Sequence, residues 1–269
     1  MTNNTILKSV LLTTLMTAGL SIHAFAESKR VSDGIAPGDT NSKWLLGATV
    51  GSVNNEFVGE DSDWEGFLHF NAEYRGEKFF IAKNEIGYNL SRNNGMSFGV
   101  LATSKSGVLY DDDLYDDNKV LAHLEQRDAT LDMGIYFIHN SDLGQLRMRL
   151  LEEVTGDHKG RSFDASYTFD LNYGGWRVNP FVATSYLTDE AVDYFFGVSQ
   201  MESTDQLAAY EGKGGFNLTA GLNATYALTE NWDLGFGTTV SKLGSGIANS
   251  SIMTDDMIYT ASATINYNF

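Results

Sequence analysis

The chain has 269 residues, with 27 Gly, only 2 Pro, no Cys and a formal net charge of −17. The lack of Cys excludes disulfides and Cys-based zinc, redox or nucleophile chemistry, and the acidity argues against nucleic acid as a partner, because phosphate binding needs a clustered basic surface. Tyr, Phe, Val, Ile and Thr recur along the whole length, which excludes a disordered chain.

Residues 1–26 have the pattern of a secretory signal peptide. Lys8 supplies a positive start, Ser9–Ile22 is apolar, and His23-Ala24-Phe25-Ala26 gives the small-x-small motif that predicts cleavage after Ala26. The apolar run is shorter than the roughly 20 residues that a membrane-spanning helix needs. We therefore expect an exported mature chain that begins with a polar leader, 27–42.

The rest of the chain alternates between apolar and polar residues with a period of two. From Phe216 to Leu228 the larger apolar side chains occupy every second position, as they do from Tyr259 to Phe269. A helix would repeat its apolar positions every three or four residues, so this pattern predicts strands. Each run is about ten residues long and can therefore cross a bilayer as a tilted strand. Similar runs lie at 43–52, 64–74, 78–90, 96–105, 129–139, 143–154, 162–172, 175–187 and 231–242.

Two architectures use such strands, a soluble β-sandwich and a transmembrane barrel. The connectors between the strands favour the barrel. Short connectors alternate with long acidic ones, just as short periplasmic turns alternate with long outer loops in transmembrane barrels. The short connectors are 140–143, 172–175 and 229–231, and the long ones are 106–127, 188–214 and 243–257. Small residues beside aromatics on the apolar positions suit a wall that faces lipid. The prediction is all-β: a transmembrane antiparallel up-and-down β-barrel over 43–269, in contact with lipid and lipopolysaccharide in a Gram-negative outer membrane.

The strand count predicted from these runs is twelve, with ten as the alternative. Eleven runs are visible, but bacterial single-chain barrels have an even number of strands. Either 64–90 contains three strands that cross the membrane, or the strand at 43–52 does not cross it completely. Aromatic residues that prefer the headgroup level gather near the ends of the runs: Trp44, Trp64, Tyr74, Tyr88, Trp176, Tyr186, Trp232 and Tyr259.

The polar positions of the strands are expected to face the lumen. If the hairpin 128–154 turns at 140–142, Asp132 and Arg149 lie opposite each other and form a charge pair across the strands. Two interpretations stay open, a lumen filled by paired side chains and a selective pore. At the C-terminus, Tyr267 and Phe269 are predicted to act as a barrel-assembly signal. The inward set comprises His69, Asn71, Glu73, Asp128, Thr130, Asp132, Gln145, Arg147, Arg149, Asp164, Asp170, Arg177 and Asn179.

No catalytic, cofactor or metal site is predicted from the motifs. Asp157-His158, in a loop, is a weak candidate for a catalytic dyad, because geometry rather than adjacency defines such sites. The acidic run 111–118 lacks the spacing, the Gly at position six and the Glu at position twelve of a calcium loop. We therefore predict a protein that is not an enzyme.

Several segments, in order along the mature chain, resemble the MipA/OmpV family of outer-membrane proteins. They are Tyr74-Arg75-Gly76-Glu77-Lys78-Phe79-Phe80, Ile86-Gly87-Tyr88-Asn89-Leu90, Asp132-Met133-Gly134, Thr155-Gly156-Asp157-His158-Lys159-Gly160, Asp193-Tyr194-Phe195-Phe196-Gly197-Val198, Glu202 and Tyr210 before the strand at 214–228, and Ile265-Asn266-Tyr267-Asn268-Phe269.

This resemblance implies an outer-membrane barrel that organises the envelope. One branch of the family is associated with scaffolding a lytic transglycosylase and a murein synthase, and the OmpV branch with surface exposure and adhesion. The family offers no catalytic or ligand residues to transfer to this chain. Three non-enzymatic functions stay open: a scaffold for murein enzymes, a narrow porin-like solute channel, and a surface adhesin that acts through the acidic outer loops.

Overall fold

The computed structural model describes residues 43–54, 56–60, 64–82, 84–106 and 118–269. The predicted signal peptide (1–26), the leader (27–42) and the acidic run 111–117 lie outside these residues. Among the helices of the described part, none is long and apolar enough to span a membrane.

The described chain forms twelve antiparallel strands. The eighth is interrupted at Asp170, and both of its parts pair with the ninth. The strands are β1 (Lys43–Asn54), β2 (Trp64–Arg75), β3 (Phe79–Ala82), β4 (Glu85–Asn93), β5 (Met96–Lys105), β6 (Thr130–Ser141), β7 (Gly144–Glu153), β8 (Arg161–Phe169 with Leu171–Tyr173), β9 (Trp176–Leu187), β10 (Gly215–Ala227), β11 (Trp232–Lys242) and β12 (Met257–Asn268).

The sheet closes into a barrel because β1 pairs with β12 as well as with β2. Closure leaves no open sheet edge, which is what a sheet needs in order to satisfy its backbone groups in lipid. The prediction of twelve strands is confirmed. The additional crossing lies in 64–90, where β3 and β4 form a short hairpin; β3 pairs with β2 at two positions, Tyr74↔Ile81 and Arg75↔Phe80.

The two ends of the barrel differ in their connections. At the turn end, where Phe269 lies, strands are joined by tight turns such as Asn94-Gly95, whose φ angles of 49° and 77° suit Asn and Gly. At the loop end, long connections carry two helices, α1 (Asp189–Phe196) and α2 (Ser245–Ala248). The alternation of short and long connectors confirms the predicted barrel topology.

The outer face of the barrel is apolar and ends in aromatic rings. Phe70, for example, points outward and is 75% exposed. Near the turn end, the tilted rings of Trp44 and Tyr74 pack with their centroids 5.0 Å apart, and Trp232 meets Tyr267 at 5.0 Å. Amphipathic rings at this level are typical of a membrane–water interface.

The largest hydrophobic core lies outside the barrel, among the connections at the loop end. We call the described parts of these connections the cap: 56–60, 118–129, 154–160, 188–214 and 243–256. Its buried core residues, together with strand ends that pack into it, are Leu121, Leu124, Leu187, Ala191, Val192, Phe195, Phe196, Val198, Leu207, Leu243, Ile247, Ile252, Met253 and Ile258.

Candidate functional site

The inner wall formed by β4 to β8 carries a buried cluster of four charges. Arg147 Nη2 donates to Glu85 Oε2 at 2.5 Å, and Arg149 donates to both Glu85 Oε1 and Asp164 Oδ2, the latter at 2.9 Å. All four residues are buried. Two cations and two anions on three strands, β4, β7 and β8, thus neutralise one another, the arrangement that a buried charge requires.

A second buried cluster lies on the same wall, nearer the cap. Lys105 Nζ contacts Asp132 Oδ2 at 2.6 Å and donates to Ser162 Oγ at 2.7 Å. A lysine beside a serine can be a catalytic base, but only when its amine is free to accept a proton. Here the carboxylate of Asp132 holds the ammonium, so Ser162 has no base in this pair and the cluster is structural.

The predicted charge pair between Asp132 and Arg149 is wrong. Both residues face the lumen and are buried, as expected, but the hairpin places Asp132 opposite Glu153 and Arg149 opposite Tyr136. The turn lies at 142–143, between Ser141 and Gly144, rather than at 140–142. Because the two residues are therefore further apart along the hairpin, each takes its partner from another strand.

The opposite inner wall, on β10 to β12, is made mostly of uncharged residues, with Asp233 near the turn end. Asn223, Ser262 and Thr264 point inward and yet are only half-buried, and Gly237 lies beside them, whereas Gly221 is covered by the ring of Phe181. An inward side chain that stays accessible indicates space within the barrel at that level. The lumen is therefore filled on its charged side and less completely filled beside Asn223, Ser262 and Thr264.

The cap crosses the mouth of the barrel above this lumen. Asn118, between β5 and β6, donates to the carbonyl of Val58, between β1 and β2, at 2.9 Å. Arg127, also between β5 and β6, pairs with Glu202, between β9 and β10, at 2.9 Å. These loops belong to hairpins that are not neighbours in the ring, so their contacts bridge the mouth. Val53 packs against the apolar core of the cap from inside the barrel.

Glu202 is the polar centre of the cap. Its carboxylate accepts the backbone N–H groups of Glu125 at 2.9 Å and Ser199 at 2.8 Å, besides the guanidinium of Arg127. Burial by itself would raise the pKa of this carboxyl, but these hydrogen bonds outweigh it and hold the pKa at about 2. Glu202 therefore stays ionised at any pH that a growing cell meets.

The candidate dyad Asp157-His158 does not have catalytic geometry. Among the described residues no hydrogen bond joins the two side chains; instead, Nδ1 of His158 accepts the N–H of Gly160 at 2.9 Å. The imidazole packs between Tyr194 and Phe195 of α1. In the described part of the chain no group of three His, Asp or Glu residues is placed to bind a metal ion.

Tyr267 and Phe269 lie at the turn end, where the barrel closes. Their rings meet edge to face at 4.8 Å, and the N–H of Phe269 donates to the carbonyl of Trp44 at 2.9 Å. Phe269 thus continues the pairing of β12 with β1. Its recognition by assembly machinery stays a prediction.

Comparison with known proteins relates the whole barrel to one family. The family model described as MltA-interacting protein MipA matches residues 46–269. The chain belongs to the MipA family. Among its relatives, outer membrane protein OmpV of Vibrio cholerae is 28% identical over 82% of this chain and 86% of that protein. Outer membrane protein Omp26La of Vibrio anguillarum is 27% identical over 84% of this chain and 87% of its own length.

A third MipA-family relative carries a functional name. The MltA-interacting protein of Escherichia coli is 24% identical over 84% of this chain and 90% of that protein. Together with the barrel, these relatives place the protein in the outer membrane. Because outer-membrane barrels have short turns in the periplasm and long loops outside, the turn end faces the periplasm and the cap faces the exterior.

Proposed function

We propose that this protein is a non-enzymatic barrel that organises the envelope by docking a lytic transglycosylase at its periplasmic end. The observation that carries the proposal is the cap, which crosses the outer mouth and leaves the periplasmic end as the accessible face of the lumen. The name of the Escherichia coli relative, MltA-interacting protein, supports a partner of this class. A murein synthase would be held through the same assembly.

The periplasmic turns offer one surface suited to such a partner. The hairpin of β8 and β9 continues beyond the start of β7, because Leu171–Tyr173 pairs with β9 alone. Tyr173 is 83% exposed at its tip, and Leu143, on the neighbouring turn, is 73% exposed. Asp170 N–H donates to the carbonyl of Leu143, which joins the two turns. Exposed Tyr and Leu side chains on the periplasmic turns suit a protein interface.

Replacing Tyr173 with serine should weaken the binding of a purified lytic transglycosylase by about tenfold or more, since a buried interface tyrosine contributes about 2 kcal/mol. Biolayer interferometry on the refolded, detergent-solubilised barrel measures this. The matched control is Leu228→Ser, on the turn between β10 and β11, which should leave affinity unchanged. The proposal fails if the unaltered barrel does not bind the enzyme.

A porin-like channel is the second candidate, favoured by the half-buried polar wall of β10 to β12. The cap and the ion clusters oppose it, because a conducting path needs both ends open. Planar-bilayer recordings of the unaltered protein distinguish the two: the docking proposal expects no discrete conductance, whereas steady conductance indicates a channel. Adhesion through the acidic outer loops stays a third prediction, which cell-attachment assays with cap-loop deletions can test.

A further inference from the structure

The connection between β7 and β8 packs against α1, and His158 lies at the contact. His158 is buried, with its ring centroid 5.1 Å from that of Tyr194 and 5.4 Å from that of Phe195. Its Nδ1 accepts the N–H of Gly160 at 2.9 Å. The segment 154–160 therefore contacts the helix through this imidazole.

The hydrogen bond from Gly160 requires a neutral imidazole. A protonated ring carries N–H on both nitrogens and has no acceptor left, so Nδ1–H would point at the N–H of Gly160. Gly160 is also packed closely between His158 and α1. A Cβ atom added to Gly160 would lie 2.6 Å from Nδ1 of His158 and 2.7 Å from the Cβ of Ala191. The hydrogen bond from Gly160 lies within the segment 154–160, and Nε2 of His158 is buried with no hydrogen-bond partner among the described residues. Protonation therefore leaves a charged ring packed against α1 with neither of its N–H groups satisfied, which favours withdrawal of the ring from the helix.

Two of the three carboxylates near His158 are already engaged. Asp132, on β6, is paired with Lys105 of β5. Glu153, at the end of β7, accepts the N–H groups of Gly156, His158 and Lys159, at 2.6, 3.2 and 2.8 Å respectively. Neither carboxylate is thus available to hold an imidazolium in place.

The balance of these effects keeps the ring neutral. Burial lowers the pKa of His158, and Lys105 acts in the same direction, while Asp132, Glu153 and Asp157 act to raise it; the net pKa lies below the ordinary 6.5. On α1, the hydroxyl of Tyr194 is neutral at these pH values, because burial raises its pKa.

We propose that His158 is an acid-sensitive latch, which pins 154–160 to α1 when neutral and releases it when protonated. The released state binds one more proton than the docked state, so docking is complete above about pH 6.5 and weakens as pH falls below it. Because this end of the barrel faces the exterior, the latch responds to the medium. The latch is independent of enzyme docking at the periplasmic end.

Hydrogen exchange tests the latch on the full-length refolded barrel. After correction for intrinsic exchange rates, peptides that cover 154–160 should lose about tenfold in protection between about pH 7.5 and about pH 5. In His158→Phe, which keeps a ring against α1 but cannot be protonated, protection should not change with pH. The control His123→Gln, at an exposed position of the cap, should respond like the unaltered protein.

The proposal is overturned if the unaltered protein shows no loss of protection in this range, or if His158→Phe shows the same loss. An NMR titration of the refolded protein supplies a second readout. It should give His158 a pKa below the ordinary 6.5, and an equal or higher value would also overturn the latch.

Discussion

Replacing Glu85 with glutamine should destabilise the barrel by about 3–5 kcal/mol, the cost of leaving a buried ion pair without one partner. Glu85 bridges Arg147 and Arg149 on the inner wall. The effect on Arg147 should be the larger, because two of its nitrogens, Nε and Nη1, already have no hydrogen-bond partner among the described residues. Urea unfolding in detergent micelles or liposomes, followed by intrinsic tryptophan fluorescence, measures the change.

The matched control is Glu152→Gln on β7. Glu152 also pairs with an arginine, Arg161, but the two side chains are 56% and 64% exposed. An exposed pair contributes about 0–1 kcal/mol, so this variant should unfold almost like the unaltered protein. Equal effects from the two variants would contradict a stabilising role for the buried cluster.

Replacing Glu202 with alanine should open the cap without unfolding the barrel. The change removes the acceptor for Arg127 and for the N–H groups of Glu125 and Ser199. With a cost of about 3 kcal/mol for the lost hydrogen bonds to a charged group, protection from hydrogen exchange in 121–127 should fall about 100-fold. The strands should keep theirs, because their hydrogen bonds do not involve the cap.

Lowering the pH should open the cap as Glu202→Ala does, but only as the pH approaches 2. The pKa of Glu202 in the folded protein is about 2, against an ordinary 4.5. A lowered pKa means that the stabilisation is complete above about pH 4.5 and is lost as pH falls toward 2. Between about pH 5 and about pH 7.5 Glu202 does not titrate, so a change in the cap over that range belongs to another group, such as His158.

A control for Glu202→Ala is available in the same loop. Glu211 pairs with Lys213, but both side chains are exposed. Glu211→Ala should therefore leave the protection of the cap unchanged. Loss of strand protection in Glu202→Ala would instead show that the cap and the barrel unfold together.

Both walls of the lumen could largely be predicted from the sequence, because the direction of a side chain in a strand depends only on its position. The inward orientation of Asp132, Arg149 and Asp164 follows from this rule. Glu85 was missed, although Glu85, Gly87 and Asn89 alternate with Ile86, Tyr88 and Leu90 and so carried the same signal. The short hairpin of β3 and β4 obscured it.

Partners within the lumen could not be predicted in the same way. The register of a hairpin depends on where its turn lies, and moving the turn from 140–142 to 142–143 gave Asp132 and Arg149 different neighbours. Arg149 meets Glu85 across β5 and β6, a contact that needs the sheet to curve into a ring. Sequence spacing contains no measure of that curvature.

By itself the sequence determined the strands, their inner and outer faces and the end of the barrel at which each connection lies, since these follow from a period of two and from turn chemistry within a few residues. Only the tertiary structure decided the ion clusters, the cap and the setting of His158. Each of these joins residues from hairpins far apart in the chain, and such contacts exist only once the closed barrel has brought the hairpins together.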